Sequence, residues 1–261
     1  MKKLLALTVC FIFIGAIYSF AEPVKQNPWE LGTEISHRKY KEPGVMEQKG
    51  IMYGLFGSYT YRNNYMLKAE GLLSFGQVDY SSVSSGTMDN IDDYVVELRG
   101  LAGKDFPVST GTVYTPYIGI GCRYLNDDMS GKLSSTNAAG YERESNYIYS
   151  PIGIEAVVAL ENGWSCGTTL EYDYFWQGTQ KSNIGSVPGY YDIENDQEKG
   201  YGFRGSVEFK KKGEKVDYAI KPFVRYWKIR DSEITTDPGG TSWIEPKNST
   251  TEFGVQFAAK F

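Results

Sequence analysis

Residues 250–261, TTEFGVQFAAKF, decide the fold of this chain. Phe253, Val255, Phe257 and Phe261 all fall on alternate positions, and small or polar residues stand between them. A period of two residues puts successive side chains on opposite faces of a β-strand. The stretch therefore predicts a strand with one apolar face, suited to contact with lipid, that runs to the carboxy-terminal residue.

The same alternation recurs along the chain. Between residues 65 and 78, for example, Tyr65, Leu67 and Leu73 alternate with Lys68 and Glu70. A shift of one residue would turn the charges into lipid, so the register of this strand is well specified. The pattern predicts an all-β fold of about ten strands. The predicted strands are 29–40, 50–61, 65–78, 92–103, 112–125, 145–160, 164–177, 200–210, 216–230 and 250–261.

The connections between these strands alternate in length. Short turns follow every second strand, with turn-forming residues such as Arg62-Asn63-Asn64 and Glu161-Asn162-Gly163. Longer polar segments follow the other strands: 41–49, 79–91, 126–144, 178–199 and 231–249. This asymmetry is typical of transmembrane barrels, which must close because lipid cannot satisfy unpaired backbone groups. We therefore expect a single closed antiparallel transmembrane β-barrel with long extracellular loops and short periplasmic turns.

Two groups of residues within the predicted strands need separate treatment. Pro116, Pro151 and Pro222 lack the amide donor of a ladder, so we expect irregular pairing around them. Cys122 and Cys166 fall on the lipid face of alternate strands, about 10 Å apart, which is beyond disulfide reach. They are predicted to act as small apolar side chains.

Composition excludes two classes of protein. The chain has 21 Tyr, 13 Phe and 5 Trp, yet its mean hydropathy is only −0.39. High aromatic content with low mean hydropathy fits strands that are apolar on one side, and it does not fit a helical membrane protein. The net charge of −5 argues against a nucleic acid partner, because phosphate binding needs clustered basic residues.

The amino terminus has the pattern of a secretory signal. Lys2 and Lys3 precede an apolar run from Leu4 to Ile17, and Ser19-Phe20-Ala21 offers small residues at the positions that signal peptidase reads. The apolar run is too short to cross a bilayer as a helix. We therefore predict a signal peptide at residues 1–21 and a barrel domain at residues 22–261.

A signal-like start and a last strand that closes on an aromatic residue resemble the bacterial outer-membrane β-barrel family, in its small members of about ten strands. The resemblance implies a porin-like architecture in the outer membrane of a Gram-negative cell. It also implies that Phe257 and Phe261 form a carboxy-terminal assembly signal for the barrel assembly machinery. A soluble lipocalin-like barrel is the alternative.

The inward faces of the predicted strands carry charges of both signs. A barrel of about ten strands has a narrow lumen, in which opposed carboxylates and guanidinium groups should pair and form a plug. The alternative is a thin conduit lined by the same residues. The predicted lumen network consists of Lys68, Glu70, Glu97, Arg99, Arg123, Glu155, Glu171, Asp173, Arg204, Lys221 and Arg225.

Catalytic patterns are weak. Omptin proteases and several lipid A modifying enzymes resemble one another in using a histidine with acidic or hydroxyl partners at the outer rim of a barrel. This chain has one histidine, His37, and its neighbour Ser36 must point to the opposite face. Asp92-Asp93 and Asp127-Asp128 are present, but an Asp-x-His pattern is not. The sequence therefore predicts no catalytic residue, no metal site and no cofactor.

Three functional hypotheses follow from these features. The first is a barrel with a charge-plugged lumen that has a structural or surface-interaction role through its extracellular loops, which carry exposed aromatics such as Tyr190 and Trp243. The second is a narrow channel for ions or small polar solutes. The third is an outer-rim enzyme acting on lipid or peptide, with His37 as its base. The expected partners are outer-membrane lipid, the assembly machinery and an external ligand at the loops, and no nucleic acid.

Overall fold

The computed structural model describes residues 28–261, so the predicted signal peptide at 1–21 lies outside the described residues. Strands dominate the described part of the chain, and two short 3-10 turns at Glu161–Gly163 and Ile184–Ser186 interrupt its connections. Within these residues, no helix combines the length and apolarity that a bilayer crossing requires. The strands are β1 (Trp29–Glu42), β2 (Met46–Arg62), β3 (Tyr65–Ser82), β4 (Gly86–Lys104), β5 (Phe106–Ser109), β6 (Thr112–Asp128), β7 (Glu142–Ala159), β8 (Trp164–Ser182), β9 (Ile193–Gln197), β10 (Gly200–Lys211), β11 (Asp217–Ile229), β12 (Thr235–Thr236), β13 (Ser242–Trp243) and β14 (Asn248–Lys260).

Ten of these strands form a closed antiparallel barrel, which confirms the predicted fold class and strand number. Neighbours in sequence pair around the ring, β10 pairs with β8, and β14 pairs with β1. The closing register joins Glu30 to Lys260 and Arg38 to Glu252. Trp29 and Phe261 exchange backbone hydrogen bonds of 3.1 and 3.0 Å, so the last residue completes the seam. Closure leaves the ring without an open edge in lipid.

The two ends of the barrel differ, and we name them by their connections. The turn end carries the short turns, the start of β1 at Trp29 and Phe261, which pairs with Trp29 at the end of the β1–β14 seam. Asn162 and Gly163 in one of its turns have φ values of 57° and 74°, a left-handed conformation that Asn and Gly tolerate. The loop end carries the connections 43–45, 83–85, 129–141, 183–199 and 230–247. β9, which extends the edge of β8, and the β12–β13 hairpin lie in the last two of these connections.

The two faces of the wall follow the predicted alternation. Leu31, Leu55, Leu98 and Ile120 are exposed on the outside, whereas inward neighbours such as Glu34 are buried. Cys122 is exposed and Cys166 is half-buried, and both are free, as predicted. The exposed apolar side chains form the band that meets lipid.

Several strands extend further towards the loop end than the sequence pattern predicts. Segments 41–49 and 79–91, predicted as long loops, are instead mostly strand, with tight turns at 43–45 and 83–85. Outward positions in the extension are polar, as at Lys41 and Lys49. The apolar alternation therefore ends where contact with lipid ends, although backbone pairing continues.

Pairing around the three prolines is only partly irregular. Pro116 pairs regularly with Ile154. The β6–β7 ladder skips from Ile118 to Gly121, opposite Pro151, and the β10–β11 ladder skips from Ser206 to Phe209, opposite Pro222, without a change of register in either case. A missing proline donor removes local hydrogen bonds without breaking the wall.

Candidate functional site

The lumen is the candidate functional site, and it has three parts along the barrel axis. A polar cavity lies towards the turn end, a layer of buried ion pairs and aromatic rings fills the middle, and a second cavity lies at the loop end. We call these the turn-end cavity, the middle layer and the loop-end cavity. Antiparallel strands place their inward residues at fixed heights, so register alone brings these side chains together.

The charged part of the middle layer centres on Glu97 of β4. Its carboxylate accepts hydrogen bonds from Arg204 Nη1 at 2.9 Å and from the Tyr149 hydroxyl at 2.6 Å. Arg204 Nε donates to Asp173 Oδ2 at 2.8 Å and also lies 3.2 Å from Glu171 Oε1. One guanidinium group on β10 thus joins carboxylates on β4 and β8 across the lumen.

A second group of ion pairs connects the seam strands to the far wall. Arg225 donates to both carboxylate oxygens of Glu34, at 3.0 and 2.8 Å, and Gln256 donates to the same group at 2.7 Å. Arg123 of β6 donates to Glu252 of β14. Bidentate, charge-assisted bonds of this kind fix both partners in one geometry.

Aromatic rings complete the middle layer. Trp227 stacks edge-on against Tyr149 with ring centroids 4.9 Å apart, and Tyr147 packs against Phe175 at 5.4 Å. The guanidinium carbon of Arg204 lies 5.5 Å from the Tyr149 ring centroid, within cation–π range. Tyr149 is 0% exposed, and both Trp227 and Arg123 are 2% exposed. These buried side chains pack against one another in the middle of the lumen.

The turn-end cavity is more open than the middle layer. It comprises two connected spaces of about 120 and 100 Å³ that share Glu30, Lys68 and Glu155 in their walls. Lys68 Nζ lies 2.7 Å from Glu70 Oε1, and Arg62 Nη2 lies 2.6 Å from Glu155 Oε2. These side chains are partly exposed, so their charges reach solvent from the turn end.

Arg143 organises the charged floor of the loop-end cavity. It donates to Glu42 at 2.8 Å and to Glu245 at 2.6 Å, and the Tyr40 hydroxyl donates to Glu42 at 2.8 Å. Burial raises the pKa of Glu245 to about 7, and Glu42 adds to the rise while Arg143 opposes it. One guanidinium group therefore serves two buried carboxylates.

The loop-end cavity above this floor is larger than the turn-end cavity, at about 310 Å³. Its walls include Met46, Met88, Met129, Tyr80 and Trp243, and Val45 and Ile244 are exposed at its rim. Ser82, Ser182 and Asn195 also line it, and a cavity of this size that combines apolar side chains with convergent polar groups has the features of a small-molecule site.

The structure places all eleven predicted lumen residues inward and in ion pairs. The predicted assembly residues Phe257 and Phe261 are exposed on the outside of β14 and at its end. Sequence reasoning missed the inward aromatic rings, although Tyr147, Tyr149 and Trp227 occupy inward positions of strands that alternate. It also missed Arg62, which was assigned to a turn.

The residues considered for catalysis lie on different surfaces. His37 faces outward, with its ring stacked 5.2 Å from that of Phe253, whereas Ser36 is buried in the lumen. Cross-strand pairing brings Asp92 opposite Asp128 and Asp93 opposite Asp127. The inward pair is engaged, because Arg38 donates to Asp93 and Gln48 donates to Asp127. The histidine and the inward aspartates therefore lie on opposite sides of the wall.

Comparison with known proteins identifies the barrel type. The sequence profile of the autotransporter β-domain family matches residues 35–225. The fold is similar to that of the outer membrane protease OmpT from Escherichia coli, with a TM-score of 0.60 and 8% identity over 92% of this chain and 99% of that chain. The translocator domain of the autotransporter NalP from Neisseria meningitidis is similar with a TM-score of 0.40 and 11% identity, over 98% of this chain and 93% of that chain. No curated protein sequence matches the chain.

The closed ring, its apolar outer band and the match to the autotransporter β-domain define an outer-membrane β-barrel protein located in the cell outer membrane. The soluble lipocalin-like alternative is therefore wrong. The chain belongs to the autotransporter β-domain family.

Proposed function

We propose that this barrel is closed to solutes and acts at the cell surface, where its loop end binds an external molecule. The observation that carries the proposal is the middle layer, in which Arg123, Glu97 and Tyr149 are buried to 2% exposure or less. Arginines that line a water-filled pore stay hydrated. Arg123 and Arg204 of the middle layer instead contact carboxylates, and Arg204 also contacts the Tyr149 ring. The loop-end cavity supplies a site for the external molecule.

Single-channel recording in planar bilayers tests the proposal directly. We expect the refolded wild-type protein to give no conductance steps. The double variant Tyr149→Ala/Trp227→Ala removes the two stacked rings and should open a path, giving steps under the same conditions. Heat-modifiable gel migration checks that both proteins are folded barrels. Wild-type steps that change when Arg99 or Arg225 is neutralised would instead establish the narrow-channel alternative.

The turn-end cavity is the observation that favours this second candidate. Its partly exposed lysines and glutamates form a hydrated entrance that reaches the middle layer from one side. A channel would need the middle layer to rearrange, at the cost of leaving buried charges without partners. We therefore place the closed barrel first.

A rim enzyme is the third candidate, and the pairing of Asp93 with Asp127 favours it. Their carboxylates are held by Arg38 and Gln48, and His37 faces away from them. A binding role needs no base at this rim, so we propose binding rather than catalysis. Hydrolysis of a peptide or lipid substrate that is lost in Asp93→Asn would reverse this order.

A further inference from the structure

The loop end of the lumen has more buried acid than base. The charged side chains buried there are Glu42, Asp93, Asp127, Glu245, Arg38 and Arg143. Basic residues of the same strand segments, such as Lys39 and Lys41, are exposed on the outer face and cannot neutralise the interior. Four carboxylates therefore face two guanidinium groups, and the excess negative charge is balanced either by protonation of carboxyl groups or by a bound cation.

The floor of the loop-end cavity also has more carboxylates than guanidinium groups to pair with them. Arg143 is shared between Glu42 and Glu245. Asp127, which lies with Arg143 around an adjoining space of about 20 Å³, has a buried carboxylate oxygen, Oδ1, without a hydrogen-bond partner among the described residues. The floor of the loop-end cavity therefore holds two carboxylates for one guanidinium group, which leaves a site for one further positive charge.

The walls of the loop-end cavity indicate which kind of molecule could carry the positive group that the floor favours. Met46, Met88 and Met129 supply flexible, polarizable contacts, and Trp243 and Tyr80 supply aromatic faces that attract cations. A metal ion does not fit these walls, and residues 28–261 contain no cluster of three or more metal-ligating side chains. An apolar body that carries one positive group matches both the walls and the floor.

We propose that the loop-end cavity binds a small organic cation, with its ammonium group at Glu245 and Glu42 and its apolar body among Met46, Met88, Met129 and Trp243. This inference rests on the proposed function, because it gives a chemical class to the external molecule. The apolar walls enclose the body of the ligand, and the acidic floor selects the sign of its charge.

Calorimetric titration of the folded full-length barrel in detergent tests this assignment. The probes are phenethylamine, the neutral phenethyl alcohol and the anionic hydrocinnamate, which share an aromatic body and differ in charge. At about pH 8, where Glu245 is ionised, the amine should bind at least about tenfold more tightly than the alcohol, because one charge-assisted bond supplies that difference. Glu245→Gln should remove this preference and leave alcohol binding unchanged.

Two further variants separate site chemistry from loss of fold. Glu214→Gln makes the same chemical change at an exposed position of the turn end and should keep wild-type binding of all three probes. Met88→Ala should weaken the amine and the alcohol alike, because it shortens the apolar wall. Equal affinity for amine and alcohol, tighter binding of the anion, or an unchanged preference in Glu245→Gln would each overturn the assignment.

Failure of this inference is distinguishable from failure of the proposed function. A wild-type barrel that conducts ions yet prefers phenethylamine would contradict the closed lumen and retain the cation site. A wild-type barrel that does not conduct ions and shows no preference for phenethylamine would contradict the cation site and leave the closed lumen standing.

Discussion

Arg123 of β6 and Glu252 of β14 form an ion pair across the lumen, joining the far wall to the seam that closes the barrel. Arg123 is 2% exposed and Glu252 is 6% exposed, so both charges depend on protein partners rather than water. The pair therefore couples closure of the ring to the packing of its interior.

Substitution of Arg123 tests whether water reaches the charges of the middle layer. Arg123→Ala leaves the Glu252 carboxylate buried with one partner fewer, and we expect the free energy of unfolding to fall by about 3–5 kcal/mol. Arg225→Ala should destabilise the protein by a similar amount, because it removes the guanidinium group that pairs with the buried Glu34 carboxylate. Urea unfolding in lipid or detergent measures both changes.

Lys39→Ala is the matched control for these arginine variants. Lys39 pairs with Glu47 at 2.9 Å, but its side chain is 45% exposed, so its loss should cost only about 0–1 kcal/mol. Costs near zero for both arginine variants would mean that the interior is hydrated, and the channel hypothesis would then take first place.

A charge on the lipid face should be costly only within the apolar band. Leu98 is exposed near the middle of β4, and Leu98→Arg should destabilise the membrane-inserted barrel by about 2–4 kcal/mol. Tyr191→Arg makes a comparable change in the 183–199 connection and should have almost no effect. Unfolding in vesicles measures the difference, and equal costs would contradict the position of the band.

Phe261 should contribute more to the yield of assembled barrel than a phenylalanine of similar exposure elsewhere on the outer face. If the last strand is read by the assembly machinery, Phe261→Ala should lower the yield of membrane-inserted barrel in cells. Phe209→Ala removes a ring of similar exposure, 43% against 46%, from the outside of β10 and should leave the yield near that of the wild type. Equal yields from the two variants would exclude a special role for the terminal ring.

The stability contribution of Glu245 should depend on pH in a defined direction. Its pKa in the folded protein, about 7, lies above the ordinary value of 4.5, so the folded state favours the protonated carboxyl. Relative to Glu245→Gln, which stays neutral, the wild type should match the variant below pH 4.5 and lose stability as pH rises through 7.

Groups facing Glu245 from β1 and β7, namely Tyr40, Glu42 and Arg143, are the same in both of these proteins, so the difference reports this carboxyl. Thermal unfolding across the range measures it. A difference that grows in favour of the wild type with rising pH would mean that Arg143 dominates and that the pKa of Glu245 is lowered.

Sequence alone predicted the wall far better than the interior. Period-two alternation located every barrel strand, because lipid outside imposes an apolar requirement on each outward position, as at Leu31 and Leu98. Inward positions obey no such uniform rule. Charged residues such as Arg204 were recognised as lumen residues, but their partners depend on which strands face one another across the ring.

Two errors have the same physical origin. The extensions of β1 to β4 were assigned to loops because outward residues such as Lys41 and Lys49 become polar where lipid ends. The loop-end cavity could not be predicted, because Met88, Met129 and Trp243 come together only through long connections without a sequence period. Periodicity reports the solvent on each side of a strand, and it says little about what folded loops enclose.

Paired strands that continue to Glu42 and Met46 make the outer part of this protein a stiff collar rather than a set of tethers. The hairpin tips at 43–45 and 83–85 lie at the outer edge of the collar, where Val45, Ser84 and Ser85 line the loop-end cavity. The paired strands therefore hold the mouth of the loop-end cavity in place, so a ligand that enters it does not have to order this part of the wall.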